Sequence, residues 1–123
     1  MENYDQIEED KELKTVGLEL MFLTPEKCSS TDGITAVELA KLVGLPAETV
    51  KKKLNILKEK EIVKVKGINP KYWKFNEYNF QRMDENDEIF RLLCSFDDVD
   101  FDKYFSYLIQ KIYYIKIPKV MIQ

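Results

Sequence analysis

Between Thr35 and Phe75 the apolar residues change period, from three-and-four spacing to strict alternation, and few folds accommodate that change. Thr35 and Glu38 form a capping-box pair, so a helix is predicted to start at Ala36, with Val37, Leu39, Ala40 and Leu42 on its buried side. Gly44 stops it at a tight turn. Pro46 opens the next helix, where Leu45 and Val50 are placed as a hydrophobic staple. Val50, Leu54 and Leu57 make its buried stripe, which runs out near Lys60 or Glu61. From Ile62 the pattern alternates, with Val63 and Val65 on one face of a strand. Gly67 to Pro70 reads as a turn, and Trp73 and Phe75 share one face of a second strand, which completes a β-hairpin.

The flanks are helical in pattern. Residues 1–10 form an acidic tail. Leu13, Val16, Leu20 and Leu23, with Met21 beside them, predict a helix that ends near Pro25, followed by a polar loop over residues 26–33. After the hairpin, the acidic stretch from Asp84 to Glu88 begins a fourth helix carrying Ile89, Leu92 and Leu93. Asp97 to Asp100 break the pattern, and Phe101, Phe105, Leu108, Ile112 and Ile115 form the stripe of a fifth helix. The expected fold is mainly α with a small β-hairpin. The expected organisation is a tail over 1–10, a domain over 11–80 and a helical extension over 81–123. The stripe over 101–115 is apolar enough to serve a homodimer, the alternative being that it folds back on its own core.

The run from Thr35 to Leu57 resembles the helix-turn-helix of winged-helix transcriptional regulators, the broad MarR- and ArsR-type group. The likeness is carried by Ala40, Gly44 and Val50: a small residue in the first helix, a glycine four residues on and a β-branched residue six after that. It covers about residues 13–80. In two places the chain departs from the pattern. Glu61 stands where many relatives have glycine before the first wing strand, and Pro46 replaces a Ser or Thr cap. The resemblance implies a winged helix-turn-helix with C-terminal helices. Its recognition helix, about residues 46–60, would enter the major groove of double-stranded DNA, and its wing, about residues 62–78, would lie on the backbone.

Placing Val50, Leu54 and Leu57 inward turns Glu48, Thr49, Lys52, Asn55 and Ile56 outward, because successive helical residues rotate by about 100°. Under the resemblance, Lys52 meets a guanine edge or a phosphate and Asn55 pairs with adenine. Thr49 and Ile56 contact thymine methyls, and Glu48 accepts from cytosine or serves only the helix N-terminus. Lys51 and Lys53 flank this face and meet phosphates. In the wing, Asn69 and Lys71 lie at or beside the tip, and Lys64 and Lys66 line the hairpin.

Charge agrees in its distribution. From Lys41 to Lys74 ten lysines stand against three glutamates, a balance of +7 in a chain whose total is −3, so the remainder carries −10. A basic middle between acidic ends is the electrostatic footprint of a phosphate-binding surface. The acidic start and the lack of a long apolar run argue for a cytoplasmic protein that does not span a membrane. Cys28 and Cys94 fit no metal or redox spacing and read as free thiols. There is no histidine, no Gly-rich phosphate loop and no nucleophile elbow, so neither enzymatic activity nor a cofactor is expected. Asp98, Asp100 and Asp102 alternate like calcium-loop ligands, but Lys103 and Ile109 occupy the positions that need Gly and Glu. The expected function is sequence-specific DNA binding in transcriptional regulation. The alternative is a winged-helix protein-protein interaction module in a transcription or replication assembly, which the acidic total charge, Glu48 and an outward Ile56 would suit.

Overall fold

A carboxylate sets the start of the first helix. Asp10 accepts the backbone N–H of Leu13 at 2.8 Å and caps α1, Lys11–Met21. This computed structural model describes residues 10–95 and 102. Of the fifth helix expected over residues 101–115 only residue 102 is described, and the dimer assigned to that helix lies outside the described residues. A single 3-10 turn, Pro25–Lys27, follows α1.

The capping box at Thr35 is formed as the sequence predicts. Glu38 N–H donates to Thr35 Oγ1 at 3.2 Å, and Thr35 N–H donates to Glu38 Oε1 at 3.0 Å. These bonds start α2, Ala36–Val43. Gly44, at φ 71°, ends it in the left-handed region with its N–H on Ala40 O. The buried side of α2 is narrower than expected. Leu39 and Ala40 are buried, but Val37 and Leu42 are exposed. In a helix of eight residues crossed by neighbours on one side, only one narrow row faces inward.

Helix α3, Ala47–Glu59, has Pro46 as its N-cap and buries Val50, Leu54 and Leu57 completely. Truncating Leu54 or Leu57 to alanine would cost about 2–5 kcal/mol. The helix ends in a Schellman arrangement. Ile62 N–H donates to Leu57 O at 3.0 Å and Glu61 N–H to Lys58 O at 2.9 Å. Glu61 therefore occupies a left-handed conformation, at φ 59°. Its carbonyl accepts from the side-chain amides of Asn76 and Asn79, at 3.0 and 2.9 Å. This is how the chain does without the glycine of the resembled pattern.

Strands β1, Val63–Lys66, and β2, Tyr72–Phe75, pair antiparallel, with Lys64 opposite Lys74 and Val65 opposite Trp73. The loop before α2 adds an isolated antiparallel bridge on the other edge of β2. Ile34 and Trp73 exchange backbone bonds of 3.0 and 2.7 Å. A five-residue helix, α4, Glu77–Gln81, which the periodicity does not reveal, is capped by Asn76. Asp87 caps α5, Glu88–Cys94, accepting from the N–H groups of Ile89 and Phe90. The described part is thus mainly helical with one two-stranded antiparallel hairpin.

One core joins these elements. Leu13 and Val16 of α1, Leu39 of α2, and Val50, Leu54 and Leu57 of α3 meet Ile62, Trp73 and the α5 residues Ile89, Leu92 and Leu93. The core therefore continues past residue 80, since α5 packs directly on α1. No helix among the described residues is long and apolar enough to cross a membrane.

Candidate functional site

Helix α3 has neighbours on both flanks, and they divide its polar residues into two groups. On one flank Lys53 donates to Asp10 at 2.8 Å and lies 3.8 Å from Glu12, with a side chain only 18% exposed. Lys53 thus ties α3 to the start of α1, and two carboxylates engage its ammonium. Ile56 is likewise not outward. It is half-buried and packs against the core, because the apolar stripe of a helix flanked on both sides is wider than three residues imply. Thr49 is also half-buried. At the end of α3, Lys60 donates to Asp87 at 2.8 Å. Burial alone would raise the Asp87 carboxyl. The Lys60 bond and the two backbone N–H donors outweigh it and hold the group below its ordinary value. The bond to Asp87 in turn raises Lys60.

On the other flank the expected residues come together. Lys51 and Asn55 of α3 line an open cleft of about 400 Å³ together with Asn69 and Lys71 from the turn of the hairpin. Thr35 and Val37 at the start of α2, and Ile68, Pro70 and Trp73 of the hairpin, complete it. The residues missed from the sequence are therefore Val37 and Ile68. The available signal for Ile68 was an isoleucine in a turn that otherwise holds turn-forming residues.

Lys51, Lys52 and Asn55 are exposed. Glu48 lies 3.6 Å from Lys51, and both are well exposed, so the pair is worth only about 0–1 kcal/mol. On the outer face of the hairpin, Lys64 and Lys66 of β1 and Lys74 of β2 surround a small depression with Asp32. Asp32 lies 3.3 Å from Lys66 and partly offsets that lysine, while Lys64 and Lys74 stand directly opposite each other in register. Two like charges held opposite each other on one rung favour an external anion.

The start of α2 is fixed by Glu38, which also accepts from Ser29 Oγ at 2.9 Å. The Thr35 backbone N–H, with Ser29, holds the Glu38 carboxyl below its ordinary value, so the cap persists across the neutral range. A second cavity of about 540 Å³, lined by Leu20, Met21, Leu23, Cys28, Phe75 and Glu77 among others, contains none of the residues expected to bind. Cys28 and Cys94 are free, and partial burial pushes the Cys28 thiol up, away from the reactive thiolate. No known protein family, curated protein or solved structure matches the chain.

Proposed function

We propose that residues 34–78 make up a winged helix-turn-helix and that the chain is a sequence-specific, double-stranded DNA-binding transcriptional regulator. In this reading α3 enters the major groove and the hairpin lies on the adjoining backbone. The observation that carries the reading is the convergence of Lys51 and Asn55 with Asn69 and Lys71 on one open cleft, flanked by exposed Lys52. Lysines at the cleft and on the outer hairpin face supply attraction to phosphate, and Lys52 and Asn55 supply groups able to hydrogen-bond base edges. Lys51 exchanges its weak pairing with Glu48 for a phosphate at little cost. A homodimer would present two copies of α3 to half-sites about one DNA turn apart.

Sequencing of fragments retained from a random duplex pool tests the proposal. The expected result is an enriched motif, with Asn55→Ala losing about 1–3 kcal/mol on that motif and little on random DNA. Exposed Val37 and Ile68 beside the cleft favour the second reading, a winged-helix module that binds another protein. Ile56, half-buried, no longer supports it. That reading predicts no enriched duplex.

A further inference from the structure

Asp10 does more than cap α1. It also accepts Lys53 Nζ of α3 at 2.8 Å, and Glu12 lies 3.8 Å from the same ammonium. The start of α1 is thereby pinned against the middle of α3, and the chain that precedes Asp10 joins the fold at that point. That preceding segment, residues 1–9, carries Glu2, Asp5, Glu8 and Glu9 and no lysine or arginine. Its charge is opposite to that of the helix it adjoins, where Lys51, Lys52 and Lys53 follow one another. Lys53 is already engaged. Lys52, one residue back and turned by about 100° toward solvent, is exposed beside it. Beyond Lys52 on the same face stands Glu48, itself exposed and 3.6 Å from Lys51. Nine extended residues reach about 30 Å, and α3, 13 residues long, spans about 20 Å, so chain length does not confine the segment to α1.

We propose that the acidic segment over residues 1–9 docks on the outer face of α3, with Glu8 and Glu9 on Lys52, and competes there with DNA. The contact stands on charge and reach, and its effect on DNA rests on the DNA-binding reading above. The Asp10–Lys53 bond tethers the segment beside its target, so its effective concentration is high and weak pairs suffice to hold it. Glu48 repels the segment and restricts the contact to the side of α3 that carries Lys52. A duplex presents a longer array of charge than four carboxylates do, and displaces the segment. Affinity for every duplex then falls by one common factor, and only the stronger complexes persist at a given concentration.

Two measurements on the full chain test the contact and its effect separately. Carbodiimide coupling without DNA, read by mass spectrometry, should join Glu8 or Glu9 to Lys52 through an amide at low salt. The yield should fall several-fold in about 0.5 M salt, where exposed charges are screened. Coupling of residues 1–9 to Lys11 and Lys14 of α1 with none to α3 would overturn the proposal. The second measurement is fluorescence anisotropy on a random duplex pool, with circular dichroism to confirm unchanged folding. The variant Glu2→Gln, Asp5→Asn, Glu8→Gln, Glu9→Gln should bind about tenfold more tightly than wild type at low salt, the combined size of a few weak exposed pairs. The gain should close at high salt and shrink when Lys52→Ala is added. An equal gain with and without Lys52 would show long-range repulsion rather than a contact, and would overturn the proposal while leaving DNA binding intact. Coupling to Lys52 without duplex binding by the neutralised variant would instead overturn the DNA-binding reading, and the competition with it.

Discussion

Two glycines with positive φ should respond very differently to alanine, and the difference measures what holds the loop before α2 to the hairpin. At Gly44, φ is 71° and an added Cβ would meet nothing within 4 Å. Gly44→Ala therefore adds left-handed strain of about 1–2 kcal/mol, offset by about 0.4–1 kcal/mol from a less flexible unfolded chain. The net loss should be near 1 kcal/mol. At Gly33, φ is 131° and an added Cβ would sit 2.2 Å from the Trp73 carbonyl oxygen, a backbone atom that cannot rotate away. That carbonyl accepts the Ile34 N–H, so relieving the clash separates both bonds of the Ile34–Trp73 rung. Two backbone bonds at about 1 kcal/mol each, with about 1–3 kcal/mol of strain, give a loss of roughly 2–4 kcal/mol after the same offset. Urea unfolding followed by circular dichroism would read both variants. In heat, Gly33→Ala should fall by roughly 10 °C and Gly44→Ala by about 4 °C. If Gly33→Ala is no more destabilising than Gly44→Ala, the rung does not anchor the loop and this account of the Ile34–Trp73 contact is wrong.

Other outcomes follow from the helix ends and the ion pairs. Asp87→Ala should cost about 1–2 kcal/mol at neutral pH through loss of the α5 cap and the Lys60 bond. The Asp87 carboxyl is held below its ordinary value of 3.8, so its contribution is complete above that value. It is lost as the pH falls through the folded-state value, and urea midpoints of wild type and variant should converge in strong acid. Glu61→Gly should stabilise by about 0.5–1 kcal/mol in the same assay, because it relieves a left-handed non-glycine residue at φ 59°. Lys53→Ala should lower stability by about 1 kcal/mol through its pairing with Asp10, while leaving the salt dependence of DNA binding as in wild type. A reduced salt slope in that variant would show that Lys53 meets phosphate after all.

Features whose partners lie within a few residues were legible in the sequence. Thr35 with Glu38, Gly44 at the end of α2 and the alternation from Val63 to Val65 are decided by local hydrogen bonds and local burial. The lysine and asparagine content of the cleft was legible too, since residues 51 and 55 lie one helical turn apart. Lys53 was not, because its partner Asp10 is 43 residues away and nothing beside Lys53 announces it. Ile56 was misplaced because three buried positions imply a stripe narrower than the one that two flanking neighbours create. Val37 and Leu42 erred in the opposite sense, as apolar residues on a short helix covered from one side only. Glu61 looked like a departure from the glycine pattern. Its support comes from Asn76 and Asn79, beyond the hairpin.

The most direct test of the central claim is the salt dependence of binding to a mixed duplex pool, read by fluorescence anisotropy for wild type, Lys51→Ala and Lys71→Ala. Both lysines line the cleft, one on α3 and one on the hairpin. Removing a lysine that neutralises one phosphate should reduce the slope of log affinity against log salt by roughly 0.9. The account predicts tight binding at low salt, a steep wild-type slope and a reduction of that size in each variant. Absence of binding at low salt, or binding indifferent to salt and to both substitutions, would contradict it.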